Sequence, residues 1–234
     1  MKILIKISGE SLAGGHDDGR KYDEPTVLRI RDQIRTLYTA AHSIAIVVGG
    51  GNIFRGKDLM RELSILPQAT ADNAGMLATV PNALVLRDAL QNANVDTRVM
   101  SAIRIDQVCE WFIGQRARHH MRENRVVILC GGLGVPNLTT DTTAVLRAKE
   151  LDMDLVIMTK NRVAGIYTAD PNVDPSATFL PSITASEFLA KNLKIADQTA
   201  VAFARENKVK IKIVPSDALK DALDPAVGSV IVPE

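Results

Sequence analysis

Short apolar runs alternate along the chain with longer stretches of helical periodicity. Residues 2–8 (KILIKIS) are rich in β-branched side chains and stop at Gly9, which predicts a strand with a loop after it. Residues 10–23, with glycine and aspartate gathered between Gly14 and Gly19, predict a surface loop. From 24 to 41, Val27, Leu28, Ile30, Ile34 and Leu37 recur on one side of a helix. Residues 43–48 (SIAIVV) predict a second buried strand, which runs straight into Gly49-Gly50-Gly51. The 68–93 stretch is helical in pattern, with Met76, Leu77, Val80, Leu84, Val85 and Ala89 apolar, and Pro81 kinks or interrupts it. A strand at 95–101, a helix at 105–121, a strand at 125–129, a helix at 144–151 and a strand at 155–158 follow. Residues 160–181 have little periodicity and predict loop with a small hairpin. Helices at 185–191 and 198–208 and strands at 210–214 and 229–232 complete the series.

Strands that alternate with helices predict an α/β fold whose sheet is largely parallel and covered on both faces. The 234 residues contain no proline-, glycine- or serine-rich linker and no internal repeat, so a single domain over residues 1–234 is expected. Hydrophobic residues at 46% and charged residues at 24% are those of a soluble globular protein. A net charge of +1 gives no electrostatic argument for nucleic acid or an anionic membrane, and 4% aromatics argues against a base-stacking platform. Cys109 and Cys130 have no metal-ligand spacing and are expected reduced. The opening MKILIKISGE is too short and too charged for a signal peptide, and no stretch reaches the roughly 18 apolar residues of a membrane helix. A cytoplasmic protein is expected.

Candidate chemistry sits at three glycine-rich turns, each directly after a predicted strand: Ser8-Gly9, Gly49-Gly50-Gly51 and Gly131-Gly132-Leu133-Gly134. In an open α/β sheet ligands lie outside the carboxyl ends of the strands, so all three turns should share one edge. The third turn opens the run CGGLGVPNLTTDTTA (130–144), where glycines and hydroxyls precede a helix, the makings of an anion site. Lys6, in an otherwise apolar strand, and Arg55, just past the triple glycine, supply the cations a polyphosphate needs. GNIFRGKD (51–58) approaches the P-loop pattern, but Asp58 stands where a metal-binding hydroxyl belongs. No GxGxxG is present. Asp170, Asn172 and Asp174 have calcium-loop spacing but meet Pro175 and Pro181 where glycine and glutamate are required. His16, His42, His119 and His120 show no metal spacing.

KISGES (6–11), VVGGGNIFRG (47–56), ADNAGMLATVPNAL (71–84), RVMSAI (98–103), TTDTTA (139–144) and KNRVAGIYTADP (160–171) resemble, in matching order, the bacterial uridylate kinases of the amino acid kinase superfamily. The resemblance implies a three-layer α/β/α sandwich around a largely parallel central sheet, with the acceptor-binding part in roughly 1–150 and the ATP-binding part in roughly 151–234. It implies transfer of the γ-phosphoryl of ATP to UMP, with Mg²⁺ as cofactor, carried by the ATP. Lys6, Ile7, Ser8 and Gly9 would then lie on the ATP phosphates with Lys6 on the transferring group, and Gly50 and Gly51 between donor and acceptor phosphates. Arg55 would hold phosphate. Asp141 would orient Lys6 and help place the metal, and Asn161, Tyr167 and Asp170 would frame the adenine and ribose. Asp72 would bind the UMP ribose, with Leu133, Gly134, Thr139 and Thr140 along the rest of the acceptor. A homo-oligomer, a hexamer, is implied as well. The chain departs from the family's pattern at Leu133, Val135, Asn137, Leu138 and Ala164. Those departures leave open another small acceptor, or a non-catalytic relative that binds nucleotide or oxyanion.

Overall fold

A computed structural model describes residues 1–14, 19–171 and 173–234. His16, Asn172 and the middle of the 10–23 segment lie outside the described residues, as does the side chain of Lys57. The strands are β1 (Lys2–Ile7), β2 (Ser43–Val48), β3 (Thr97–Ser101), β4 (Glu110–Trp111), β5 (Val126–Cys130), β6 (Leu155–Lys160), β7 (Ile166–Tyr167), β8 (Phe179–Leu180), β9 (Ser182–Thr184), β10 (Ile211–Pro215) and β11 (Ser229–Val232). The helices are α1 (Gly9–Leu12), α2 (Glu24–Thr39), α3 (Gly56–Glu62), α4 (Gln68–Leu77), α5 (Thr79–Gln91), α6 (Gly114–Arg122), α7 (Thr140–Glu150), α8 (Ala185–Ala190) and α9 (Gln198–Asn207), with a 3₁₀ turn at Leu219–Asp221.

One sheet runs in the order β4-β3-β5-β2-β1-β6-β10-β11-β9. From β4 to β10 every neighbouring pair is parallel; β11 turns antiparallel to β10, and β9 pairs parallel to β11. The central strands are apolar almost throughout because both faces are covered. Ile3, Ile5 and Ile7 of β1 pack with Ile44, Ile46 and Val48 of β2 in a cluster with α2 and α5. Leu4 packs on the other face with Ala45, Val47, Val156 and Met158, in a cluster with α7, α8 and α9. Fully burying one such aliphatic side chain contributes about 1.5–3 kcal/mol. The largely parallel α/β sandwich expected from the alternation is what forms.

The chain leaves β1 for β2 on one side, and later returns through α7 to place β6 on the other. The order of connections therefore reverses at β1, and a crevice opens at the carboxyl ends of β1 and its neighbours.

Several local expectations change. The helix expected at 105–121 forms only as α6; Glu110–Trp111 instead pairs parallel with Met100 and Ser101 at the sheet edge. The β-branched and aromatic content of 108–113 fits a pleated edge, and pairing with β3 overrides the helical spacing. The helix expected from 144 begins at Thr140, because the Thr139 hydroxyl caps it by accepting from the Thr142 N–H. Segment 10–23 contains the short α1, capped by Ser8. The helix expected over 68–93 breaks at Ala78, where the backbone of Gly50 presses in: a Cβ on Gly50 would sit 2.9 Å from the Ala78 carbonyl carbon. Pro81 falls in the first turn of α5, where its missing N–H is not needed. The small hairpin expected within 160–181 is the antiparallel pair β7–β8.

Phe188, on α8, is fully buried in the core cluster that α8 shares with α9. Phe188→Ala should lower unfolding free energy by about 3–5 kcal/mol, read as a lower urea midpoint at unchanged slope.

Candidate active site

Lys6 shares the α7-facing side of β1 with Leu4, one position short of the strand's carboxyl end, and is only 6% exposed. Its Nζ lies 2.8 Å from Oδ1 of Asp141, in the first turn of α7. Oδ2 of the same carboxylate lies 3.1 Å from Nζ of Lys160, the last residue of β6. β6 is the parallel neighbour of β1, with Met158 opposite Lys6, so Lys160 emerges beyond Met158 on the same face. Burial works against a charge on Asp141, but Lys6 and Lys160 outweigh it and hold the carboxyl at about 2. Burial also pushes Lys160 below the usual lysine range, Asp141 opposing. Two ammonium groups share one carboxylate, and the nearby Asp197 carboxylate also favours the charge on Lys160. Such a charge is stable in a protein interior only beside an anion or an outlet to water.

The glycine turns after β1 and β2 close over this cluster. A Cβ on Gly9 would stand 2.7 Å from the Gly51 nitrogen, so only glycine lets the turns touch. Asn82, fully buried on α5, fixes the second turn: its Nδ2 donates to the Gly49 carbonyl and to Asn52 Oδ1, both at 2.7 Å. The turn after β5 carries positive φ at Gly131, Gly132 and Gly134, and the Gly131 N–H donates to Thr79 Oγ1 at 2.7 Å. All three turns therefore meet at one sheet edge, as the strand order requires.

The remaining candidates divide among three cavities. One, of about 760 Å³, is lined by Arg55, Gly51, Glu10 and Asn161. Arg55 is half-exposed and ion-paired with Glu10, outside the buried cluster. Asn161 accepts from Ser11 Oγ at 3.1 Å, which places it here rather than beside Tyr167 and Asp170. Those two line a second cavity of about 500 Å³ with Lys191 and Leu193; Tyr167 stacks edge-on against Phe179 at 5.5 Å. The third, of about 140 Å³, gathers Gly50, Asp72, Gly132, Leu138 and Thr140. Asp72 accepts from Gln68 Nε2 at 2.7 Å and from the Asn137 N–H at 2.8 Å. Leu133 and Gly134 do not line it, and the half-exposed Val135 lies outside it too, so of the loop's apolar departures only Leu138 reaches the wall.

Residue types alone did not single out Lys160 or Asp197. Asp197 caps α9 and accepts from Thr139 Oγ1 at 2.5 Å and Thr142 Oγ1 at 2.8 Å, tying two helix N-termini together. Lys160 falls outside the strand expected at 155–158, and the structure extends that strand to include it. Among the described residues no group of three or more His, Cys, Asp or Glu could hold a metal, and both Asp141 oxygens are engaged by lysines. Among those residues, too, no helix is long and apolar enough to cross a membrane.

A model of the amino acid kinase family matches residues 1–215. The structure superposes on UMP kinase from Bacillus anthracis with a TM-score of 0.94 at 33% identity, over 100% of this chain and 96% of that one. It superposes on UMP kinase from Ureaplasma parvum with a TM-score of 0.92 at 34% identity, over 99% and 98% of the two chains.

Asp141→Asn would leave buried Lys6 without its counter-charge and Lys160 with only Asp197, and should destabilise the fold by about 3–5 kcal/mol at neutral pH. Because folding lowers the Asp141 pKa from 3.8 to about 2, its contribution is complete above about pH 4 and fades as pH falls toward 2. Urea titrations across that range should show the gap between wild type and variant narrowing; a constant gap would place the stabilisation elsewhere.

Proposed function

The chain belongs to the amino acid kinase family, and from that premise we infer that it is a UMP kinase, transferring a phosphoryl group to UMP to give UDP. The observation that carries the reading is the buried Lys6–Asp141–Lys160 cluster at the carboxyl ends of the neighbouring strands β1 and β6. Thr140, directly before Asp141, lines the small cavity, and Val163, shortly after Lys160, lines the one with Tyr167 and Asp170. In this reading the small cavity takes the acceptor, with Asp72 on its ribose, and the other takes the adenosine of ATP.

Phosphoryl transfer demands little covalent chemistry of the protein; alignment of two anions and neutralisation of their charge supply most of it. Asp141 holds both ammonium groups in place before substrate arrives, so little reorganisation accompanies the reaction. Lys6 and Lys160 stabilise charge on the equatorial oxygens of the transferring group. Backbone N–H groups of the turns at Gly9 and Gly50–Gly51 face the phosphates from turns that glycine allows to pack against each other. Arg55 exchanges its exposed Glu10 partner for phosphate. The acceptor phosphate is already ionised near neutral pH and needs no general base.

Mg²⁺ belongs to this proposal as the partner of ATP, whose phosphate charge it would neutralise when bound. With its oxygens engaged, Asp141 is a holder of lysines rather than a first ligand for the ion. A homohexamer, a cytoplasmic location and a place in pyrimidine nucleotide biosynthesis complete the reading; light scattering on the purified chain checks the assembly.

A coupled assay with Mg-ATP and a panel of UMP, CMP, AMP, glutamate and carbamate should show turnover chiefly with UMP. Preference for a carboxylate, or no turnover at all, would overturn the reading. Lys6→Ala and Lys160→Ala each leave Asp141 with one partner, so each should lower kcat about 10²–10³-fold while the fold persists. Arg55→Ala should raise KM for ATP with little effect on melting temperature, since its ion pair is solvent-exposed.

A further inference from the structure

Asp72 meets the small cavity with a protein donor on each carboxylate oxygen. Gln68, one turn earlier in α4, holds Oδ1, and the Asn137 backbone N–H holds Oδ2 at 2.8 Å. The second bond spans the cavity mouth. Asp72 stands on the α4 wall, while Asn137 belongs to the 131–138 loop, whose Gly132 and Leu138 form part of the opposite wall. Asn137 presents its N–H from a left-handed backbone with φ of 67°, a region asparagine tolerates and most side chains resist. With this tie made, the cavity has a volume of about 140 Å³. Pockets that hold small organic ligands enclose about 300–1,000 Å³, so seating a nucleoside monophosphate here requires its walls to part. The tie lies at the exposed rim, where a ligand hydroxyl can replace a backbone amide on a carboxylate with little net change in hydrogen bonding.

We propose that the Asn137 amide gates the acceptor cavity: it occupies Asp72 in the empty protein, and the acceptor's ribose hydroxyl displaces it as the 131–138 loop moves outward. The identity of the displacing ligand rests on the UMP kinase reading; the tie itself does not. A closed gate reduces apparent acceptor affinity by the fraction of molecules that are open, so weakening it tightens acceptor binding. Asn137→Ala penalises the left-handed backbone, whereas Asn137→Gly retains both the N–H and the access to positive φ.

Hydrogen exchange followed by NMR on the full chain tests the gate. Adding UMP should accelerate exchange of the Asn137 amide about tenfold or more while slowing amides at the start of α7. Asn137→Ala should lower KM for UMP about fivefold at unchanged kcat, with Asn137→Gly staying close to wild type. Slower exchange at Asn137 with UMP, or equal KM shifts in the two variants, would overturn the gate. If no amide in the protein responds to UMP, the acceptor assignment fails instead. The gate is then judged on the empty protein, where Asp72→Ala must accelerate the Asn137 amide and an unchanged rate overturns it.

Discussion

Two lysines sharing one buried aspartate set the terms for the rest of this protein. Lys6 and Lys160 end neighbouring parallel strands on one face, and Asp141 opens the helix that crosses beneath them. Neither ammonium is stable there alone, and together they exceed the single carboxylate between them. Asp197 supplies a further negative charge that favours the ammonium form of Lys160. Helix α7 thus has two functions: its first turn delivers the counter-charge, and Ala144, Val145 and Ala148 further along it close the core.

The sheet order makes this arrangement possible. Because β1 lies between β2 and β6, the glycine turns after β1 and β2 gather over Lys6, and the return through α7 brings Asp141 and Lys160 to the same place. The backbone contacts that result are too close for side chains at Gly9 and Gly50, so glycine there is a packing requirement before it is a ligand requirement. Asn82 and Asn52 stabilise the same junction from behind, satisfying backbone groups that burial would otherwise leave unpaired.

The cavities of Tyr167 and of Asp72 differ in size: the first holds about 500 Å³, whereas the second holds about 140 Å³ and has its carboxylate tied to the Asn137 N–H. A kinase must keep water from the transferring phosphoryl, and a cavity that opens only to a hydroxyl-bearing acceptor meets that need. The loop's apolar departures at Leu133 and Val135 do not line the cavity.

The linear pattern by itself determined a great deal. Apolar runs buried on both faces, alternating with amphipathic helices, define a largely parallel α/β sheet, and glycine-rich turns after β1, β2 and β5 define the edge that binds. Lys6 was legible because a lysine inside an apolar strand has few places to go. Short edge elements were not legible: 108–113 carries both helical spacing and strand-forming residues, and pairing with β3 decided between them. Nor could the sequence pair Asp141 with Lys160, tie Asp197 to Thr139, or close Asn137 onto Asp72, 65 residues away. Residue types and spacing fix what a segment can form locally, because periodicity and capping act over a few residues. Which charges share a buried site depends on strand order and crossover, and only the folded chain sets those.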